Sequence, residues 1–309
     1  MNAQKFHFPG ETNFYSGKVR DVYTINDKLI AMIASDRISA FDVILPKPIP
    51  YKGQVLNQIA AYMLNATKDI CPNWLLNTPA PNVSVGKKCK PFKIEMVVRG
   101  NLVGHAWRTY NSGKRILCGA SMNESLKEND FFKTPIITPS TKAAAGHDED
   151  ISPDAIVDDG LATKDEWKIL RNYALQLFER GKQIAAQHGL ILADTKYEFG
   201  KIGGEIYLMD EVHTPDSSRY FYKDGFEERQ QKGERQKQLS KEFVREWLIE
   251  NNFMGKEGQT VPEMNDDWVN TISQRYIELY ETVIGEKFVP ENLSDEETYE
   301  RIVASLKTV

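Results

Sequence analysis

The stretch from Leu190 to Tyr220 concentrates acidic and basic residues in the sequence LILADTKYEFGKIGGEIYLMDEVHTPDSSRY. Its apolar residues alternate with polar ones, as they do in β-strands with two different faces. Side chains of an extended strand point alternately to its two faces. One face is therefore predicted to carry Leu192, Asp194, Lys196 and Glu198. Three charged groups would then lie beside one another.

A hairpin is predicted within this stretch, because Gly203-Gly204 is a strong turn signal between two alternating runs. A turn centred there brings Glu198 and Asp210 to nearly the same level on neighbouring strands. A one-residue bulge would set both carboxylates on one face, where they could share a hard cation. Asp216 and Arg219 follow the second strand, in a predicted turn.

A second charged group is predicted in a hairpin near the start of the chain, with its turn at Asn26-Asp27. Gly17 is followed there by Lys18 and Arg20 at alternate positions. A glycine can expose backbone N–H groups, and two cations beside it could lie along a polyphosphate. The alternative is a basic edge strand that binds no ligand.

Asp36 and Arg37 directly follow an apolar strand, in the segment SDRISAFD. Loops at the ends of strands often carry function. The two residues could bind a zwitterion, or they could pair with each other.

Arg99 lies where an alternating strand gives way to the turn GNLVGH. An arginine there can form a bidentate contact with a carboxylate or a phosphate, or it can be an exposed residue on the face of a sheet. His105, at the end of this turn, could act as a general base or as a packing residue.

Residues 121–159 show no periodicity and are predicted to form an irregular lid, binding loop or flexible segment. Lys142, between hydroxyl-bearing and small residues, could reach an anion in a cleft. His147 lies beside acidic residues. No second histidine stands at ligand spacing, so zinc is not favoured.

Helices are predicted before the acidic hairpin and after it. Thr163 and Glu166 form a capping box for a helix that ends near Gly189 and leads into the hairpin. The tail after residue 239 is predicted to form three further helices: Ser240 could cap the first, Pro262 begins the second, and Ser294 with Glu297 caps the last. Arg245, on the first of these, could face the cleft.

Composition is that of an ordinary globular protein with more than one compact unit: 309 residues, 41% hydrophobic and 27% charged. A net charge of -5 argues against nucleic acid or an anionic membrane as the main partner. No run of apolar residues is long enough to span a bilayer, and no secretory signal is recognisable. Three widely spaced cysteines favour reduced thiols. The protein is predicted to be cytoplasmic.

These groups together are what ATP-dependent phosphoryl transfer requires. Paired carboxylates can hold magnesium, and lysine and arginine can offset the charge of the phosphates. Walker A, dinucleotide-binding and kinase catalytic-loop motifs are absent from the sequence. The residues therefore indicate a two-lobed nucleotide-using enzyme, and their spacing does not identify its substrate.

Six segments, in order along the chain, resemble the SAICAR synthetase family of purine biosynthesis. They are GKVRDVY at 17–23, SDRISAFDV at 35–43, EMVVRGNLVGHAW at 95–107, TPSTKAAAGHDEDIS at 138–152, ADTKYEFG at 193–200 and DEVHTPDSSRYF at 210–221. The tail is similar to that of the longer, yeast-type members.

The resemblance implies an α+β fold of two lobes. A kinase-like N-terminal nucleotide-binding lobe is predicted for residues 1–115. An ATP-grasp-like lobe with a helical tail is predicted for residues 116–309. The implied reaction joins carboxyaminoimidazole ribonucleotide (CAIR) to L-aspartate, with ATP and Mg²⁺, through an acyl phosphate. Small molecules are thus the implied partners, and the protein is predicted to be a monomer or a small homo-oligomer.

The resemblance also implies roles for individual nucleotide-binding residues. Gly17, Lys18 and Arg20 match the strand that lies over the ATP phosphates, and Lys196 matches a lysine near the nucleotide. Glu198 and Asp210 match magnesium ligands. Asp194 is interpreted as a residue that orients Lys196.

The resemblance further implies a set of substrate-binding residues. They match groups near CAIR or aspartate and are Asp36, Arg37, Arg99, His105, Lys142, Asp216, Arg219 and Arg245. Asp36 and Lys142 lie in segments associated with the aspartate and the reacting carboxylate. His105 departs from the pattern, because many members have serine there. Four residues are predicted to be catalytic: Lys18, Asp36, Arg99 and Lys196.

Two alternatives use the same residues. A small-molecule kinase of the same fold would transfer phosphate without any dependence on aspartate. A non-catalytic ATP-binding regulator would release no ADP.

Overall fold

The computed structural model describes residues 4–142 and 148–309. Its strands are β1 (Glu11–Ser16), β2 (Arg20–Ile25), β3 (Leu29–Ala34), β4 (Ser39–Ala40), β5 (Val43–Ile44), β6 (Leu75–Ala80), β7 (Val83–Lys87), β8 (Lys90–Asn101), β9 (Ile116–Leu117), β10 (Ala120–Ser121), β11 (Phe131–Ile137), β12 (Ser140–Thr141), β13 (Leu190–Ile202), β14 (Glu205–Met209), β15 (Ser218–Tyr222) and β16 (Gln238–Leu239). Its helices are α1 (Lys52–Ala66), α2 (Gly104–Asn111), α3 (Pro153–Asp158), α4 (Lys164–Gln187), α5 (Phe226–Lys232), α6 (Glu242–Glu250), α7 (Asp266–Ile284) and α8 (Asp295–Leu306).

Two larger antiparallel sheets organise these elements. The first has the order β1-β2-β3-β7-β6. The second has the order β11-β8-β13-β15-β16, with β12 also paired to β8 and β14 to β13. The predicted α+β class is confirmed. The predicted lobe boundary after residue 115 remains a prediction, and β8, on the N-terminal side of it, pairs within the second sheet.

Helix α4 covers one face of the second sheet and forms the centre of the main core. Leu170, Ala174, Leu177 and Phe178 are completely buried. The predicted capping box is present, since Thr163 Oγ1 accepts from the Glu166 N–H and the Glu166 carboxylate accepts from the Thr163 N–H. Gly189, at φ 70°, then turns the chain into β13.

The predicted hairpin of β13 and β14 is confirmed. Gly203 and Gly204 have φ values of 57° and 93°, so they form the tight turn without the steric cost of a side chain. The ladder between these strands runs from Ile202↔Glu205 to Glu198↔Met209 without a register shift. It therefore lacks the one-residue bulge that would align Glu198 with Asp210. Asp210 instead leaves the ladder with φ 60°.

A bulge lies elsewhere on β13, between Leu192 and Asp194 in the pairing with β15. One extra residue reverses the alternation of faces. Leu192 therefore packs in the main core with Tyr197 and Phe199. The prediction that Leu192 shares a face with Asp194 is wrong for this reason.

The C-terminal helices pack on both sheets. Helix α7 begins at Asp266 and is capped by Asn265, so the start predicted at Pro262 is four residues too early. Helix α8 has the predicted Ser294–Glu297 capping box, and it packs through Ile302 against the core of the first sheet. Among the described residues, no helix has the length and apolar composition needed to cross a membrane.

We expect Thr163→Ala to lower the free energy of unfolding by about 1 kcal/mol, because it leaves the Glu166 N–H without its side-chain acceptor. Thr163→Ser keeps the hydroxyl and should stay near wild type in urea unfolding. Equal losses in the two variants would contradict a capping contribution.

Burial of His213 makes an acid-sensitive contribution to stability. Its ring is 0% exposed and its Nε2 lies 2.7 Å from the Tyr197 hydroxyl. Burial lowers the pKa of His213 to about 3. The unfolded chain therefore binds a proton that the folded chain does not, so stability falls as pH drops from about 6.5 toward 3.

We expect this histidine to contribute a slope of up to about 1.4 kcal/mol per pH unit in that window. The measurement is the free energy of unfolding of wild type and of His213→Asn at several pH values in that window. The variant should show the shallower dependence on pH, even though losing the Tyr197 contact lowers its stability at every pH. Parallel curves would show that His213 does not titrate this way.

Candidate active site

Lys196 lies among carboxylates at the centre of the second sheet. Its Nζ is 2.8 Å from Glu95 Oε1 on β8 and 4.0 Å from Glu198 Oε1. Glu95 and Glu198 are direct partners in the β8–β13 ladder, where like charges repel. Lys142 also contacts Glu198. Burial lowers the pKa of Lys196, but Glu95 and Glu198 outweigh it and raise that pKa above its ordinary value.

Arg20 joins the two sheets at this point. From β2 its guanidinium donates to Asp210, at 3.1 Å, and to Glu211. Its side chain is 13% exposed. The Trp74 indole N–H donates to the Asp210 carbonyl at 2.8 Å. Asp210 is therefore held from two sides in its left-handed backbone conformation.

Glu198 and Asp210, the two carboxylates predicted to share a cation, offer only oxygen ligands, and both act electrostatically on Lys196. Among residues 4–142 and 148–309, no group of three or more His, Cys, Asp or Glu side chains could hold a metal ion. Magnesium is commonly bound by one or two carboxylates together with substrate phosphates and water. These two carboxylates therefore fit a Mg²⁺ ion that binds together with a nucleotide better than a metal ion that the protein would hold by itself.

The β1–β2 turn carries Gly17 and Lys18 and is held by Arg37. The Gly17 N–H donates to the Arg20 carbonyl at 2.7 Å. Arg37 donates to the carbonyls of Gly17, at 3.1 Å, and Lys18, at 3.2 Å, and to Asp21 at 2.9 Å. Lys18 is half-exposed and contacts Asp42. Arg37 thus fixes this turn rather than pairing with its neighbour.

Asp36 lies at the start of α1, where its Oδ1 accepts from the Gly53 N–H at 2.9 Å. Burial raises the pKa of Asp36 above its ordinary range, although the Gly53 contact opposes this. Asp36 and Arg37 each have other partners and do not pair with each other, so the alternative that they bind a zwitterion stays a prediction.

An arginine cluster lies at the other end of the charged face of β13. Asp194 Oδ2 accepts from Arg99, at 2.8 Å, and from Arg219, at 3.1 Å. Glu242 Oε2 accepts from Arg219, at 3.0 Å, and from Arg245, at 2.8 Å. Three guanidinium groups thus share two carboxylates, which leaves positive charge available to an anion.

Glu242 is kept ionised by its partners in this cluster. Burial alone would raise the pKa of Glu242, but Arg219 and Arg245 lower it to about 2. Asp194 bridges two arginines instead of contacting Lys196, so its predicted role in orienting Lys196 is wrong.

Helix α2 begins beside this cluster. A Cβ at Gly104, which has φ 55°, would lie 2.8 Å from Arg219 Nη2, so glycine lets the guanidinium approach the helix N-terminus. The Val103 cap position offers no side-chain acceptor. A helix N-terminus next to an arginine favours an anion. His105, in the first turn of α2, lies 2.7 Å from Asp150.

Asp216 is buried behind the cluster, with 4% of its side chain exposed. Its Oδ2 lies 3.0 Å from Lys52 and 3.4 Å from Lys241, and its Oδ1 accepts from the Tyr276 hydroxyl at 2.6 Å. Burial would raise the pKa of Asp216, but Lys241 and Lys52 hold it well below its usual range.

A cavity of about 1080 Å³ opens beside Arg219. Gly104, Trp107, Phe221 and Glu242 are among its lining residues. Lys196, Glu198 and Asp210 do not line it. The cavity therefore adjoins the arginine cluster and not the carboxylate pair.

Several residues of the site were not singled out from the sequence: Lys52, Glu95, Thr138, which accepts from Arg99 at 2.9 Å, Glu211, Lys241, Glu242 and Tyr276. Lys241, the N-cap residue of α6, and Glu242, its first residue, stand close to Arg245 and could have been found by their spacing. Lys52 and Tyr276 gave no signal, because they reach Asp216 from distant helices. His147, the histidine weighed above as a zinc ligand, lies outside the described residues.

Comparison with known proteins gives the same family over most of the chain. The family model for SAICAR synthetase matches residues 13–261. The phosphoribosylaminoimidazole-succinocarboxamide synthase of Cytophaga hutchinsonii is 62% identical, over 96% of this chain and 97% of the relative. The synthase of Bacteroides fragilis is 63% identical, over 96% of this chain and 94% of the relative.

A solved structure with the same fold is SAICAR synthase from Saccharomyces cerevisiae in complex with SAICAR. It is 32% identical, with a TM-score of 0.79 over 93% of this chain and 99% of that one. The chain therefore belongs to the SAICAR synthetase family, the phosphoribosylaminoimidazole-succinocarboxamide synthases, which are ligases of purine biosynthesis.

Proposed function

We propose that this ligase joins CAIR to L-aspartate with ATP and Mg²⁺, and that β13 aligns the nucleotide with the ribonucleotide. The observation that carries the proposal is the charge pattern along that strand. Asp194, with the arginine cluster, and Glu198, with the carboxylate pair, stand four residues apart, so their Cα atoms are roughly 13 Å apart. A ribonucleotide with a phosphate at one end and a carboxylate at the other can span that distance.

The nucleotide end comprises the β1–β2 turn and the carboxylate pair. Glu198 and Asp210 would hold Mg²⁺, which offsets charge on the phosphates when it is bound. Lys18 lies at this turn and would meet the phosphates. The Gly17 N–H donates to the Arg20 carbonyl and so stabilises the turn that carries Lys18. Arg20, whose guanidinium is taken up by Asp210 and Glu211, acts by positioning Asp210.

The ribonucleotide end comprises the arginine cluster. Arg99 and Arg219, with the N-terminus of α2 and His105, would bind the phosphate of CAIR. Arg245 adds positive charge from α6. Asp216, held by Lys52 and Tyr276, positions the loop before β15 rather than reaching the ligand directly.

The reaction then needs two steps. A carboxylate oxygen of CAIR attacks the γ-phosphorus of ATP, the bond to the β-phosphate oxygen breaks, and ADP leaves. The aspartate amine attacks the carbonyl carbon of the acyl phosphate, phosphate leaves with the carbon–oxygen bond electrons, and the nitrogen loses a proton. Lys196 and Lys142 would offset the charge on the reacting carboxylate and phosphate.

The second step is accelerated by proximity, because the acyl phosphate and the aspartate amine are held next to each other. Asp36 contacts the Gly53 N–H and lies within electrostatic range of Lys52, and Arg37 holds the β1–β2 turn; the aspartate is assigned to these two residues. The three cysteines are free, which supports a reducing, cytoplasmic location.

A coupled assay for ADP release distinguishes this ligase from the two alternatives, a small-molecule kinase and a non-catalytic ATP-binding regulator. Wild-type protein should release ADP only when CAIR and aspartate are both present. ADP release with CAIR alone, unchanged by aspartate, would indicate a kinase. A complete absence of ADP release with bound ATP would indicate a regulator.

Asp210→Asn should lower kcat by roughly 100-fold or more, because it removes one of two carboxylates for Mg²⁺. Circular dichroism and the unfolding midpoint should remain near wild type, since the amide can still accept from Arg20. Asp295→Asn, at an exposed ion pair with Lys5, is the matched control. Near-normal turnover in Asp210→Asn would remove Asp210 from the metal site.

Arg219→Ala should chiefly raise the KM for CAIR, by roughly 10- to 100-fold, the range for a lost charge-assisted hydrogen bond. Arg219→Lys should recover part of the loss, because it keeps the charge without the bidentate geometry. Arg301→Ala, at an ion pair on α8, is the control. An unchanged KM for CAIR would exclude Arg219 from the site.

A further inference from the structure

Lys241 is a buried cation whose charge is only partly balanced by the protein. Its side chain is 12% exposed and its Nζ lies 3.4 Å from Asp216 Oδ2. That oxygen already has a closer partner in Lys52, at 3.0 Å, and the other oxygen of Asp216 accepts from Tyr276. The single negative charge of Asp216 therefore faces two lysine cations.

The carboxylates that act most strongly on Lys241 already have other partners. The charged groups with the largest effect on its pKa are Asp216, Arg245, Lys52 and Glu211. Glu211 is bound by Arg20 and by the Thr214 hydroxyl. The near neighbours of Lys241 therefore include two further cations and two carboxylates that other groups already hold.

An unbalanced buried charge is costly, so such an ammonium either loses its proton or binds an anion. Burial lowers the pKa of Lys241 to about 8, and the charges of Arg245 and Lys52 act in the same direction while Asp216 opposes them. The free protein thus keeps Lys241 close to the point at which it becomes neutral.

Access distinguishes Lys241 from Lys52. Lys52 is completely buried, with 0% of its side chain exposed, so only its partners within the protein can reach it. Lys241 retains an exposed part, and Arg245, four residues later, is 37% exposed. Lys241 is the N-cap residue of α6, and its carbonyl accepts from the Arg245 N–H, so the two residues begin on the same side of this helix.

The position of this lysine favours one substrate. The arginine cluster and the N-terminus of α2 serve the ribonucleotide phosphate, and Lys196 serves the reacting carboxylate. L-Aspartate brings two carboxylates that need cations. The Lys52–Asp216–Lys241 group is within electrostatic range of Arg245 through Lys241 and of Asp36 through Lys52.

We propose that the Lys241 ammonium binds a carboxylate of L-aspartate and so determines the affinity for this co-substrate. This inference rests on the proposed function. Bound carboxylate supplies the missing negative charge, and Asp216 positions the lysine through their contact. Lys241 is then a substrate-binding residue on an element that carries none of the nucleotide site.

The test uses full-length protein and the ADP-release assay, with aspartate varied at saturating ATP and CAIR. Lys241→Met should raise the KM for aspartate by roughly 10- to 100-fold, with the KM for CAIR within about threefold of wild type. Lys287→Met, at a lysine 87% exposed and paired with Glu281, is the matched control and should leave both constants unchanged.

Lys241→Arg keeps the charge and tests the proposal if the methionine variant does not fold. As pH rises through about 8, wild-type Lys241 loses its charge and the KM for aspartate should rise. The arginine variant remains charged, so the ratio of its KM to that of wild type should fall over the same interval. This ratio cancels the titration of the aspartate amine, which is common to both.

Wild-type protein without aspartate-dependent ADP release would overturn the proposed function. Normal wild-type activity with an unchanged aspartate KM in Lys241→Met would overturn the role of Lys241, and so would a rise confined to the KM for CAIR. A lowered unfolding midpoint with unaltered KM values would show that Lys241 only balances Asp216.

Discussion

The antiparallel ladder between β8 and β13 is the constraint on which the site depends. It sets Arg99 opposite Asp194 and Glu95 opposite Glu198, so both charged clusters originate from one register. A shift of one residue would send every one of these side chains to the other face of the sheet. Helix α4 covers the opposite face with completely buried Leu and Phe side chains, which makes such a shift prohibitively unfavourable.

Buried charge then joins the parts of the molecule. Arg20 reaches from the first sheet to Asp210 and Glu211, and Lys52 reaches from α1 to Asp216. Removing one partner of a buried ion pair commonly costs roughly 3–5 kcal/mol, because the other charge is left without compensation. These pairs therefore specify how the two sheets meet, and they also preorganise the carboxylates proposed to bind the ligand.

The balance of charge differs between the two ends of the cleft. Carboxylates predominate around Asp210, where a divalent cation and phosphates are to be accommodated. Cations outnumber carboxylates around Arg219 and Lys241, where the anionic ends of two substrates are assigned. Each end is complementary to its ligand before the ligand arrives, so little reorganisation is required during the reaction. Burial strengthens this effect by reducing screening from solvent.

Local signals along the chain were sufficient to define several elements and the family. Capping residues marked the starts of α4 and α8, Gly203-Gly204 marked the hairpin, and six ordered segments indicated SAICAR synthetase, because each of these signals depends on neighbours in sequence. Folding of the whole chain was needed to establish that Arg37 holds the Gly17 turn, that Asp194 bridges two arginines and that Leu192 faces the core. Lys52 and Tyr276 meet Asp216 across separations of 164 and 60 residues, and no local pattern encodes such contacts. A bulge and the pairing of buried charges are settled by the packing of distant elements, so they emerge only when the chain is folded.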